Sequence, residues 1–146
     1  MKTMIRGALA GLTLAALTSG AALAEDKSLV TVVTSPDAQT QLMAMVLTVN
    51  AAQQGAVPHI LLCGPAADMA LKEAPESATA GQPPKNMSPQ GLMKKVMGMP
   101  GAKVEVCAIY LPGKGATPDV LIEGVGVAQP PAMAKAIMDA DDQMNF

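Results

Sequence analysis

Short apolar runs rich in β-branched residues alternate with helix-start signals along this chain, and that alternation restricts its fold more than any other feature. Residues 29–34 (Leu-Val-Thr-Val-Val-Thr) read as a buried strand closed by Ser35-Pro36-Asp37. Ser35 suits an N-cap, Pro36 the first helical position and Asp37 the positive end of a helix dipole. A helix is therefore predicted from there to about Gln54, with Gly55 as its stop. Ala38, Leu42, Met45, Val46, Val49 and Ala52 would form its apolar face, leaving Met43 and Leu47 off the stripe and open to a partner subunit or another element. Residues 57–62 make a second strand, with Pro58 tolerable near its start, ended by Cys63-Gly64-Pro65.

A helical turn at residues 66–72 precedes a stretch, 73–89, that is rich in Pro, Ala, Ser and Gly and reads as a loop. Ser88-Pro89-Gln90 repeats the helix-start pattern, and Leu92, Met93, Val96 and Met97 form an apolar face before Gly98. Residues 103–109 read as a third strand running into a Gly-rich loop at 111–115. Pro118-Asp119 begins a short helical turn, residues 125–128 give a fourth strand, Pro130-Pro131 starts a helix to about Asp141, and residues 143–146 fit a last edge strand. Strands alternating with helices imply β–α–β units. The expected fold is α/β, a three-layer α/β/α domain around a mainly parallel sheet of four to five strands.

Ahead of this domain, Lys2 and Arg6 precede an apolar stretch at residues 7–17, and small residues lead to Ala22-Leu23-Ala24. That order of charge, apolar stretch and small-x-small motif is expected of a cleavable signal peptide, residues 1–24. The apolar stretch is shorter than the roughly 20 residues a membrane span needs, and no Cys stands at the cleavage site to carry a lipid. The expectation is a periplasmic protein without a stable membrane span. Its mature domain, 25–146, keeps 122 of 146 residues, enough for one hydrophobic core.

Of ten Lys and Arg, Lys2 and Arg6 fall in the leader, so eight face twelve acidic residues and the mature formal charge is −4. With Tyr110 and Phe146 as its aromatic residues, the chain has neither a basic patch nor stacking platforms, which argues against nucleic acid. Ten of the twelve Met lie in the mature part, where they would fill an aromatic-poor core or adaptable interfaces. Thioethers also suit Cu(I), a more distant reading, because the single His59 has only Cys63 within metal-motif distance. No metal and no cofactor is expected. Gly113-Lys114-Gly115 is too short for a phosphate loop, one His makes a nucleophilic triad improbable, and Asp139, Asp141 and Asp142 read as solvated surface.

Cys63 ends the second strand and Cys107 the third, so both thiols open on the rim where chemistry collects in parallel sheets. Neighbouring strands would bring them within disulfide reach, whereas an intervening strand would hold them about 10 Å apart. An inert staple, a redox-active or sulfur-carrying Cys107, and two free thiols all remain open. Lys114 could approach Cys107 and favour its thiolate, or could be a solvated loop charge.

Residues 101–107 (Gly-Ala-Lys-Val-Glu-Val-Cys), then Lys114-Gly115, then residues 119–125 (Asp-Val-Leu-Ile-Glu-Gly-Val) resemble the DsrE/DsrF-like family. The resemblance extends over most of residues 27–146, with Lys114 where Arg is usual. It implies a small α/β/α domain with the Cys63 strand beside the Cys107 strand. It also implies sulfur relay: the Cys matched by Cys107 accepts sulfane sulfur as a persulfide and passes it to a partner, often within a homo- or hetero-oligomer. The leading expectation is thus an exported sulfur carrier or sulfurtransferase-like protein using Cys107, with Cys63 as resolving thiol and Lys114 as electrostatic helper. The alternative is a non-catalytic oligomeric binding or scaffold protein stapled by Cys63 and Cys107.

Overall fold

The computed structural model describes residues 27–146, so the expected signal peptide lies outside the described residues. Strands β1 (Lys27–Val33), β2 (Ala56–Leu62), β3 (Lys103–Cys107), β4 (Gly126–Ala128) and β5 (Asp142–Asn145) form one sheet in the order β4-β3-β2-β1-β5. Every pairing in it is parallel. The helices are α1 (Ala38–Gln53), α2 (Glu76–Thr79), α3 (Pro89–Met97), α4 (Tyr110–Lys114) and α5 (Pro130–Asp139), with 3-10 helices at Gly64–Ala70 and Pro118–Val120. The expected fold class is the observed one.

The first three crossovers step outward along the sheet and pack on one face; the last returns from β4 across the sheet to β5 and packs on the other. Val33, Ile60, Leu62, Val104 and Val106 point into the first face and share a core with α1, α3 and the first 3-10 helix. Val30, Leu61 and Ala128 point the other way, against Met133, Ala136 and Ile137 of α5. No residue of α5 is buried, so this second layer is thin. Pro58 is accommodated because β3 pairs with β2 only from His59 onward, which leaves β1 as its one ladder neighbour.

Several local details differ from the sequence reading. The cap of α1 is Asp37, whose carboxylate accepts the Thr40 amide at 2.8 Å, while Ser35 instead accepts the Asp37 amide. The helix also rotates, so that Gln41, Ala44 and Thr48 join Leu42, Met45 and Val49 in the buried set, and Ala38, Val46 and Ala52 leave it. Counting apolar residues misses this because the buried polar side chains find local partners, although the Gln41 Oε1 atom has none. Thr48 donates to the Ala44 carbonyl at 2.8 Å and accepts Thr31 of β1 at 2.9 Å, and the Gln41 amide donates to the Ser35 carbonyl. Met43 and Leu47 remain exposed, at 51% and 41%. Ser88 caps α3 as expected, accepting the Gly91 amide. The supposed loop 73–89 contains the single turn of α2 and a bridge between Gln82 and Met87.

The edge strand β5 is tied down by an anion. The Asp141 carboxylate accepts both the amide and the hydroxyl of Ser28 at 2.8 Å, and the Ser28 amide bond, first, holds its pKa below the ordinary 3.8. A depressed folded pKa stabilises above the unfolded value and ceases to do so as pH falls through the folded one. Hydrogen exchange at the Ser28 and β5 amides, corrected for intrinsic rates, should therefore accelerate on acidification below about pH 4, and less so in Asp141→Asn. Equal profiles in the two proteins would remove the carboxylate from this role.

Candidate functional site at the ends of β2 and β3

The register Leu62↔Val106 places the next residues, Cys63 and Cys107, opposite one another on adjacent strands. Their Cα atoms are 5.1 Å apart, within the usual disulfide range, and the two are bonded. The strand order thus decides whether the two cysteines lie within bonding reach, which the sequence left open. The Cys63 amide donates to the Val33 carbonyl and the Ala108 amide to the Ala128 carbonyl, both near 3 Å, so the ladder holds each strand end up to the sulfurs. Beyond Cys63 the chain must turn sharply. Gly64, at a φ of +54°, supplies the turn, and Pro65 starts the 3-10 helix.

The segments leaving the two cysteines meet again in a polar cluster. Asp68, on the 3-10 helix after Cys63, accepts the Tyr110 hydroxyl at 2.5 Å and lies 2.8 Å from the Lys114 ammonium. That ammonium also sits 5.5 Å from the centre of the Tyr110 ring. Burial, then the Asp68 hydrogen bond and charge, push the Tyr110 phenol well above its ordinary pKa of 10. The hydroxyl therefore stays protonated and serves as a fixed donor. Gly64, Pro65, Asp68, Ile109, Tyr110, Gly113 and Lys114 line an open groove of about 440 Å³ here. Ile109 stands 79% exposed on its rim.

Of the three residues expected at the site, the structure joins Cys63 and Cys107 directly and ties Lys114 to Asp68. Asp68 and Tyr110 escape a sequence reading. Asp68 lies in a turn without a motif, and the one Tyr of the chain carries a signal only in hindsight, as a hydroxyl that needs a partner when buried. The expected Gly-rich loop after Cys107 is instead the one-turn α4, closed by Gly115 at a φ of +62°.

A second ionic group occupies the α5 face of the sheet. Glu105 contacts His59 Nε2 at 2.7 Å and Lys103 Nζ at 2.9 Å. These two partners account for the burial of a carboxylate in an inner strand. Among the described residues, no three His, Cys, Asp or Glu side chains gather as a metal site, and no helix is long and apolar enough to cross a membrane. Of the acidic residues near the C-terminus, Asp139 pairs with Lys135 and Asp141 with Ser28.

No family model matches the sequence, and no curated protein does. Solved structures do match. The ychN protein from E. coli superposes with a TM-score of 0.66 at 16% identity, covering 84% of this chain and 100% of its own. MTH1491 from Methanobacterium thermoautotrophicum, a protein of unknown function, superposes with a TM-score of 0.53 at 15% identity, covering 77% of this chain and 90% of its own. The ychN protein has the DsrE/DsrF-like fold, so the architecture implied by the sequence resemblance is the one this chain adopts.

Proposed function

We propose that this chain is an exported thiol protein that carries sulfur or electrons on the Cys63–Cys107 pair, acting as a homo-oligomer that exchanges with a sulfur-donor or acceptor protein. The observation that carries this reading is the placement of a disulfide at the carboxyl ends of two adjacent inner strands of a parallel sheet, where such folds put their chemistry. A cystine there is consistent with an oxidising compartment, and the leader-like N-terminus supports export to the periplasm. The thin α5 layer and the exposed Met43, Leu47 and Met138 support subunit contacts.

In the reduced state, a cysteine thiolate attacks the outer sulfur of a persulfide donor. The new sulfur–sulfur bond forms as the donor's bond breaks, and the donor leaves as a thiolate. The second cysteine can then displace the delivered sulfur as hydrosulfide and restore the disulfide.

Intact mass after thiol alkylation, measured on protein purified from the periplasm with and without reductant, tests the proposal. The expected results are opening of the bond by mild reductant and, after exposure of the dithiol to polysulfide, a gain of about 32 Da that reductant removes. A bond that resists mild reductant, with no adduct, would return the pair to a structural staple in a scaffold protein. The low exposure of Cys107, 5%, favours that second reading.

Lys114 is proposed to favour thiolate at the pair, with its charge held in check by Asp68 at 2.8 Å. Asp68→Asn should raise the alkylation rate of the reduced protein near neutral pH about two- to threefold, and Lys114→Met should lower it by a similar factor. Unchanged rates in both variants would leave Lys114 as a tie between α4 and the 3-10 helix.

A further inference from the structure

We propose that Cys63 is the sulfur that substrates meet first and that Cys107 is the internal partner that closes the bond behind them, an assignment that rests on reading the pair as working thiols. It reverses the order implied by the family resemblance. Attack on a disulfide proceeds along the sulfur–sulfur axis, so each sulfur must be approached from the side opposite its partner. The two cysteines lie side by side at the carboxyl ends of the adjacent strands β2 and β3, so that axis runs across the sheet.

On the far side of Cys107 lies β4, where the residue in register is Ala128, buried at 2% and bonded through its carbonyl to the Ala108 amide. That approach is filled. On the far side of Cys63 lies β1, where the register Val33↔Leu62 continues to Thr34, an exposed residue just past the strand end. Cys63 is itself only half-buried, whereas Cys107 is buried. Its neighbour Gly64 adds no screen, since even a Cβ built there would meet nothing nearer than the Thr34 carbonyl oxygen at 4.0 Å.

The substrate class is a small thiolate or hydrosulfide. Its sulfur bonds to Cys63 Sγ as the Cys63–Cys107 bond breaks, and the electron pair of that bond goes to Cys107, which takes a proton from solvent. The attacking sulfur is oxidised to the disulfide level and the Cys107 sulfur is reduced to the thiol. Charge is costlier on the more deeply buried sulfur, which favours this proton uptake.

The test has two parts. Oxidised full-length mature protein is exposed to limiting glutathione, quenched in acid and mapped by peptide mass; separately, the single thiols of Cys107→Ser and Cys63→Ser are timed against an aromatic disulfide. The adduct on Cys63 should exceed that on Cys107 by about tenfold or more, and the Cys63 thiol should react faster than the Cys107 thiol by a similar factor, with the two rates converging in denaturant. An adduct mainly on Cys107, or equal native rates, overturns the assignment. If glutathione fails to open the wild-type bond, the working-thiol reading falls, while the single-thiol rates still decide the order.

Discussion

Breaking the Cys63–Cys107 bond is expected to lower the free energy of unfolding by about 4 kcal/mol while leaving the native sheet in place. The bond spans a sequence separation of 44 residues, and the chain-entropy model assigns a loop of that size about 4 kcal/mol at room temperature. The second half of the expectation comes from the ladder. β2 and β3 are paired from His59↔Lys103 to Leu62↔Val106, and the amides of Cys63 and Ala108 bond to β1 and β4, so reduction removes no backbone contact from the folded state. Urea unfolding of oxidised protein, reduced protein and the Cys63→Ser/Cys107→Ser double variant measures the difference. A loss below about 1 kcal/mol would mean that the unfolded chain is already compact between the two cysteines, and loss of the native circular dichroism signal would mean that the ladder cannot hold the strand ends unaided.

The same number constrains the chemistry. Folding and oxidation close a thermodynamic cycle, so a bond that stabilises the native state by about 4 kcal/mol makes the folded dithiol about 85 mV more reducing than the same two thiols in the unfolded chain. Folding thus biases the pair toward its oxidised form relative to the same thiols in the unfolded chain. That direction suits a dithiol that receives sulfane sulfur and releases it as hydrosulfide, since each such cycle leaves the pair oxidised and requires a reductant to restart it. An oxidant that donates disulfides to other proteins would need the opposite bias, a reduced state stabilised by the fold.

How much of this was legible in the sequence depended on the range of the interaction. The ends of β2 and β3 were readable because Gly64 and Pro65 must turn the chain, and that alone placed both cysteines on one rim. Whether the two strands are neighbours depends on pairing between residues more than 40 apart, which residue patterns do not encode; only the family resemblance supplied the adjacency. The Asp68–Tyr110 contact has the same origin, since a separation of 42 residues is closed by the adjacency of β2 and β3. Lys114 follows Cys107 in the chain, but its partner, Asp68, belongs to the segment after Cys63. Helix α4 was hidden by Pro112 and Gly113, poor helix formers, and is held by the burial of Tyr110 and Leu111. The burial of Glu105 within β3 depends on His59 and Lys103 across and along the sheet, which no local pattern shows.

Truncating Met45 to Ala is expected to destabilise the protein by about 2 kcal/mol, at the low end of the range for a large buried side chain. Met45 is fully buried in the middle of α1, the longest helix among the described residues, within the cluster that joins α1 and α3 to the sheet. A deletion of three heavy atoms there would ordinarily leave a cavity, and the cost grows with the volume that neighbours fail to fill. This core has no Trp or Phe at its centre and holds two further fully buried methionines, Met69 and Met93, whose unbranched side chains can swing into a vacated space. Met45→Leu, which nearly conserves volume, should cost less than about 1.5 kcal/mol. Stiffening the neighbours tests the mechanism: in a Met69→Leu/Met93→Leu background, Met45→Ala should cost clearly more than in the wild type, and a chemical-denaturation cycle reads that difference directly. Additive costs would show that the methionines fill space without adjusting to one another. The thin second layer supplies the contrast. Ile137→Ala on α5, where no residue is buried, should cost about 1 kcal/mol or less, because solvent already reaches the site and no closed cavity forms.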